Sequence, residues 1–207
     1  MIECIAINTR AGNFKLRDVT FTIPPGGHAV LTGPTASGKT TLLEVMAGAI
    51  APGSGEIRIS GENVTTKPAE ERGIGFVPQH GFLFPHLDVR DNMRYGVRDG
   101  RDVADLASRF GITRLMERSI SSLSGGERQI VALCRALAPC APVLLLDEPL
   151  SALDDTRRAA VLRELAALQT ERRFTMLHVT HQATDAAFAT HRLTIDDGDL
   201  EEEASGG

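Results

Sequence analysis

Leu31-Thr32-Gly33-Pro34-Thr35-Ala36-Ser37-Gly38-Lys39-Thr40-Thr41 is the stretch from which the rest of the chain is read. It fits Gly-x-x-x-x-Gly-Lys-Thr, a loop that wraps a chain of phosphates. The short apolar run at residues 28–31 predicts a buried strand before it. Residues 41–48 after it are apolar at helical spacing and close on Gly48. Gly33 and Gly38 let the backbone turn tightly and bring its N–H groups onto an anion. Pro34 has no N–H to give, so the cradle starts at Thr35 and continues through Ala36 and Ser37. Lys39 places a charge at the outer phosphates, and Thr40 offers a hydroxyl to Mg²⁺. The helix that runs on through Thr41 aims its positive end at the same point.

The 207 residues make one domain, or one domain carrying a lobe, with length enough for a core. Aromatics are 4% and tryptophan is absent, so that core must be aliphatic. A net charge of −5 argues against a general nucleic-acid binder. Cys4, Cys134 and Cys140 form no Cys-x-x-Cys pair and read as reduced thiols of a cytosolic chain, with no metal site. Met-Ile-Glu-Cys-Ile at the start lacks the basic and apolar regions of a signal peptide. The longest uncharged apolar run, residues 136–146, is broken by Pro139 and Pro142. It falls well short of the roughly 20 residues that span a bilayer, so the chain is not expected to cross one by itself.

Residues 2–8 and 15–23 alternate as two edge strands, and Pro24-Pro25-Gly26-Gly27 turns into the strand before the phosphate loop. Residues 56–60 predict a half-exposed strand followed by a turn at Gly61-Glu62-Asn63, and residues 74–78 a short strand ending at Gln79. Residues 88–96 and 102–111 predict helices, each opened by an N-capping Asp and stopped by glycine. Ser124 caps a further helix running to Leu137. From Val143 a βα alternation resumes: buried strands at 143–147 and 174–180, helices at 156–169 and 182–190, and a closing hairpin at 192–200. The acidic tail, residues 201–207, is expected to be disordered.

Leu144-Leu145-Leu146-Asp147-Glu148-Pro149 is an apolar strand ending in two carboxylates. Parallel strands turn their C-terminal ends to the ligand, so both acids reach the phosphates. Asp147 suits Mg²⁺, and Glu148, one residue on and re-aimed, suits a water attacking the terminal phosphate. His178 and His181 sit three apart on an extended strand and so point to opposite faces: one to the core, the other to the nucleotide.

With the phosphate loop and the Asp-Glu strand end, Leu123-Ser124-Gly125-Gly126-Glu127-Arg128-Gln129 resembles the signature of ATP-binding-cassette (ABC) ATPases. The resemblance covers nearly the whole chain. It matches Gln79 to the family's glutamine loop, Ser151-Ala152-Leu153-Asp154 to its aspartate loop, and His181 to its switch histidine. Glu127 stands where glutamine is frequent, and Ile130 where arginine is frequent. Phe14 stands where an upstream aromatic stacks on adenine, although tyrosine is commoner there; it either stacks on adenine or packs in the core.

The resemblance implies an α/β P-loop NTPase fold with a mixed core sheet, an antiparallel N-terminal β subdomain and an inserted α-helical subdomain. The catalytic core would be residues 1–79 and 140–200, and the helical part residues 80–139. ATP would be held by Phe14, residues 33–41, Gln79, Asp147 and His181, with Ser124, Gly125, Gly126, Glu127 and Asp154 from the signature and aspartate loops. Mg²⁺ would sit on Thr40, Gln79 and Asp147; catalysis would fall to Glu148 with His181 and Gln79. Both the phosphate loop and Ser124-Gly125-Gly126 are phosphate-binding helix starts, and one compact chain does not easily aim both at one phosphate. The family's answer is two cassettes paired head to tail, here expected as a homodimer, each signature completing the partner's ATP site.

The run from Arg72 to Gln79 and on through Phe84-Pro85-His86-Leu87, with Gly12-Asn13-Phe14, most resembles molybdate/tungstate importer ATPases. Sulfate, thiamine and polyamine importers are near neighbours. These often carry a regulatory C-terminal domain, whereas the sequence here ends soon after its closing hairpin. The partners implied are a transmembrane permease and, indirectly, a substrate-binding protein, with the chain cytoplasmic on the inner face of the membrane. The apolar residues Phe82, Leu83, Phe84, Leu87 and Val89 are expected to dock the permease. Two other classes are less consistent with these residues. A soluble repair or translation ATPase would need a long coiled coil or usually a second cassette, and a small-molecule kinase does not explain the signature.

Overall fold

The computed structural model describes residues 1–11, 14–98, 102–182, 185 and 189–203, with the backbone alone for residues 11, 14 and 203. A six-stranded sheet is ordered β10-β9-β3-β8-β7-β6, formed by β3 (His28–Thr32), β6 (Ile74–Val77), β7 (Val143–Asp147), β8 (Thr175–Val179), β9 (His191–Asp196) and β10 (Asp199–Glu203). All neighbours are parallel except the β9/β10 hairpin at the edge. Every residue of β7 and β8 is buried, as expected for parallel strands covered on both faces.

Alternate residues of β7 serve separate cores. Leu144 and Leu146 pack with the helices α4 (Gly125–Leu137) and α5 (Asp155–Arg172). Val143 and Leu145 pack with α1 (Lys39–Ala47) and with a second sheet, β2-β1-β4-β5. That antiparallel sheet comprises β1 (Ile2–Ala11), β2 (Phe14–Ile23), β4 (Ser54–Ile59) and β5 (Glu62–Asn63). The fold is thus α/β, with a mixed core sheet beside an antiparallel one. Among the described residues no helix is long and apolar enough to cross a membrane.

Several expectations change in detail. Residues 2–8 lie in an interior strand, not at an edge: β1 pairs with both β2 and β4. A register shift between Cys4 and Ile7, with Ala6 at φ 50°, keeps Ile2, Cys4 and Ile7 all buried. The helix expected at 102–111 spans Ala104–Arg109 (α3) and is capped by Val103. Asp102 is one residue too early to cap it and instead accepts from the Ala104 N–H at 3.0 Å. Asp88 does cap α2 (Val89–Arg94), accepting from the Asp91 N–H. Glu201, Glu202 and Glu203, expected in a disordered tail, pair in register with Thr194, Leu193 and Arg192 of β9. The helix expected at 182–190 falls mostly outside the described residues, as do Gly12, Asn13 and residues 204–207.

Candidate nucleotide site

The phosphate loop joins β3 to α1 at the C-terminal end of the parallel sheet. Gly33 has φ 143°, and a Cβ there would lie 2.0 Å from the Ile195 carbonyl, so only glycine fits against β9. Gly38 opens α1 at φ 111°. Between them the loop curls on itself: Lys39 Nζ donates to the Gly33 and Pro34 carbonyls at 2.9 and 2.6 Å. Thr35 and Ala36 are exposed. The Ser37 hydroxyl is buried within the loop without a hydrogen-bond partner.

Thr40 Oγ1 donates to Asp147 Oδ2 at 2.8 Å, joining the start of α1 to the end of β7. Asp147 is 1% exposed, and burial pushes its carboxyl up from the ordinary range; the bond from Thr40 opposes that shift. Burial lowers the Lys39 ammonium, against the pull of Glu148 and Asp147. Glu148 takes φ 47°, a left-handed conformation that swings its side chain away from the line of β7, while its N–H donates to the Val179 carbonyl. Its Oε1 lies 2.9 Å from His181 Nε2. Lys39, Thr40, Gln79, Glu148 and His181 line one cavity of about 600 Å³. The arrangement sets a cation, a hydroxyl–carboxylate pair and a second, half-open carboxylate around a space suited to a polyphosphate. Ser37's orphaned hydroxyl and the paired oxygens of Thr40 and Asp147 fit a phosphate and Mg²⁺ respectively.

The two histidines separate as their spacing predicts. His178 is 1% exposed and stacks on His28 at 6.1 Å, whereas the His181 side chain is 45% exposed beside Glu148. The backbone of Phe14 opens β2, and its side chain lies outside the described residues.

Ser124, Gly125, Gly126, Glu127 and Asp154 are not among the residues lining that cavity. They form a unit of their own. Ser124 Oγ accepts from the Glu127 N–H, and Glu127 Oε2 accepts from the Ser124 N–H at 2.9 Å. Those bonds hold the Glu127 carboxyl below its ordinary range. Gly126 packs on Leu153 so tightly that a Cβ would come within 2.6 Å of it. Gln129 bonds both Ser151 and Ala152, and Asp154 caps α5. Ser124 and Gly125 face outward at the start of α4.

Sequence reasoning missed the residues that fix the loop after Gln79. Arg135 in α4 donates to the Gly81 and Phe82 carbonyls, each at 2.9 Å. The fully buried Asn92 accepts from the Phe84 N–H and donates to the Phe84, Leu87 and Asp88 carbonyls. No local pattern marks Arg135, because its partners are backbone atoms more than 50 positions away.

Residues 16–151 match the sequence model of the ABC transporter family. The molybdate/tungstate import ATP-binding protein WtpC of Thermococcus kodakarensis is 42% identical over 94% of this chain and 61% of its own length. WtpC of Archaeoglobus fulgidus is 44% identical over 90% of this chain and 79% of its own. A putative 2-aminoethylphosphonate import ATP-binding protein, PhnT of Salmonella choleraesuis, is 41% identical over 91% of this chain and 54% of its own. The chain therefore spans about three fifths of the length of the Thermococcus relative. Among solved structures, the dimeric ATP-binding cassette MJ0796 in a post-hydrolysis state with ADP and Pi superposes over the whole of both chains, with TM-score 0.90 and 27% identity. A fold shared along its full length, and a family match that runs from β2 through the strand end at Asp147 and Glu148, lead to one conclusion: this chain belongs to the ABC transporter family.

Proposed function

We propose that this chain is the ATP-hydrolysing subunit of an importer, working as two cassettes closed around two ATP molecules to drive a membrane permease. The convergence of Lys39, Thr40, Gln79, Glu148 and His181 on one cavity, with the signature exposed elsewhere, carries this reading. Lys39 exchanges its two loop carbonyls for phosphate oxygens. Thr40 and Asp147, with Gln79 beside them, are the residues that would hold Mg²⁺, which supplies charge neutralisation on the phosphates when bound. Glu148 takes the proton of the attacking water, and His181 fixes the orientation of its carboxylate. The outward-facing Ser124 and Gly125 complete the partner's site in a homodimer, where Asp154 also faces the partner. Residues 80–139 act as a helical subdomain apart from the core formed by 1–79 and 140–200.

The substrate reading is molybdate or tungstate, supported by the WtpC relatives. The PhnT likeness favours an aminoethylphosphonate as the second reading. The chain would sit in the cytoplasm, peripheral to the inner face of the membrane, and a substrate-binding protein would act through the permease. The test is phosphate release from ATP by the purified chain, with and without Mg²⁺, over a range of protein concentrations. Mg²⁺-dependent release that rises faster than first order in protein supports paired cassettes; none at any concentration removes the hydrolase reading. Loss of cellular molybdate uptake on deletion of the chain tests the substrate.

A further inference from the structure

Behind the contact between His181 and Glu148 lies a buried polar cluster that none of the motifs accounts for. Asp185 is 2% exposed, four residues after His181. A carboxylate buried this deeply needs partners. Thr180 Oγ1 donates to its Oδ2 at 2.7 Å, and Arg158 Nε lies 3.8 Å from its Oδ1. A hydroxyl has one hydrogen, so donating it to Asp185 turns the Thr180 lone pairs to other donors. The Gln182 N–H takes one, at 3.0 Å. The Thr180 N–H in turn donates to the Leu31 carbonyl of β3. The backbone is therefore held on both sides of His181, and one of those holds depends on Asp185.

Arg158 connects the cluster to a second motif. It is 7% exposed and sits in the first turn of α5, its N–H donating to the carbonyl of Asp154, the residue that caps that helix. A chamber of about 80 Å³ lined by Glu148, Arg158, His178, Thr180, His181 and Asp185 sets the cluster directly against the half-open carboxylate. We infer that Asp185 is a positioning residue: it holds His181 against Glu148 through Thr180 and ties that pair to the aspartate-loop helix through Arg158. The inference rests on the reading of Glu148 and His181 as the hydrolytic pair. A shift of the Asp154 end of α5 at a subunit interface would then reach His181 through two contacts.

Steady-state hydrolysis by the purified full chain tests it. Asp185→Ala is expected to lower kcat by about ten- to a hundredfold while leaving KM for ATP within about twofold, the pattern of a misaligned rather than a missing binding group. Asp185→Asn keeps an amide oxygen to accept from Thr180 and should stay within about threefold of the wild type. Thr180→Val deletes the same bond without touching a charge and should reproduce the Asp185→Ala loss. The decisive measurement is the double-mutant cycle with His181→Ala. If Asp185 acts through His181, adding Asp185→Ala to His181→Ala costs no further activity. An undiminished second loss means that Asp185 acts by another route, and the inference is overturned. If Asp185→Ala does not fold, Thr180→Val takes its place in the same cycle, and the same two outcomes decide. His181→Ala hydrolysing at the wild-type rate would instead overturn the reading of the site itself.

Discussion

Nε2 of His181 lies 2.9 Å from Oε1 of Glu148, closing the gap between the C-terminal ends of β8 and β7. The contact sets the edge of the imidazole against the carboxylate at the mouth of the cavity that both residues line. The left-handed backbone at Glu148, φ 47°, is what brings its side chain to that contact. Asp147, one residue earlier and in extended geometry at the end of β7, stays buried against Thr40. Adjacent acids thus end in unlike surroundings: Asp147 is buried against Thr40, while Glu148 lines the open cavity.

Glu148→Gln is therefore expected to keep ATP binding and to slow hydrolysis by roughly 10²–10⁴, the scale of losing a general base. The amide has little basicity, yet its shape still fits the His181 contact. The same variant should accumulate as an ATP-bound dimer on a sizing column. Turnover near the wild-type rate would remove Glu148 from the role.

Mixing two defective subunits tests whether sites form between chains. Lys39→Ala removes the cation fixed in the phosphate loop and should weaken ATP binding by titration. Ser124→Arg places a bulky cation at the exposed start of α4 while leaving the 600 Å³ cavity untouched. In a mixed dimer of these two, one site has an intact loop facing an intact signature, and both defects gather in the other. ATP-dependent dimerisation above that of either variant alone is expected. None would count against the head-to-tail pairing.

His178 gives the fold a pH signature of its own. Burial, and then the neighbouring His28, lower its pKa from 6.5 to about 3, so the folded chain keeps it neutral. Unfolded, it protonates near its ordinary value. The unfolded state then binds more protons below that pH, and stability falls as pH drops from 6.5 towards 3. The slope reaches about 1.4 kcal/mol per pH unit for one such group. His178→Phe, which keeps the ring stack, should flatten the curve. Urea unfolding of both chains from pH 7 to 4 checks this: parallel curves would mean that His178 is not the group responsible.

What the sequence made legible was local. The phosphate loop, the buried run 143–147 and the Ser124 cap each depend on neighbours within a few positions, and each formed where its pattern placed it. Features set by distant partners were hidden. β1 is interior because β4 returns to its other side, and Glu201 to Glu203 are ordered by their pairing with β9 in spite of their charge. Arg72 is 4% exposed and caps α1 by donating to the carbonyls of Val45 and Met46, 27 and 26 positions away. The Asp185 cluster escaped for the same reason: its meaning comes from Arg158, 27 positions upstream on α5.

The last prediction concerns the loop after Gln79. The five apolar residues expected to dock a permease are not alike. Val89 is fully buried, Leu83 packs on the core, and Leu87 and Phe84 are half-buried. Phe84 packs at a tilt against Tyr95, ring centroids 4.4 Å apart, with the Arg135 guanidinium over its ring. Only Phe82 stands out, 67% exposed at φ 32°, on a segment whose carbonyls are held by Arg135 and Asn92. An aromatic ring presented to solvent on a pinned backbone gains nothing for folding and suits a contact with another protein. The expected docking surface then narrows to Phe82. Phe82→Ser should then change stability by no more than about 0.5 kcal/mol, about 1–2 °C in Tm, while co-purification with the permease is lost. Val89→Ser is the control, expected to cost a few kcal/mol because it sets a hydroxyl in the core. A drop in Tm for Phe82→Ser as large as that control would place the ring in the core and end its assignment as a docking residue.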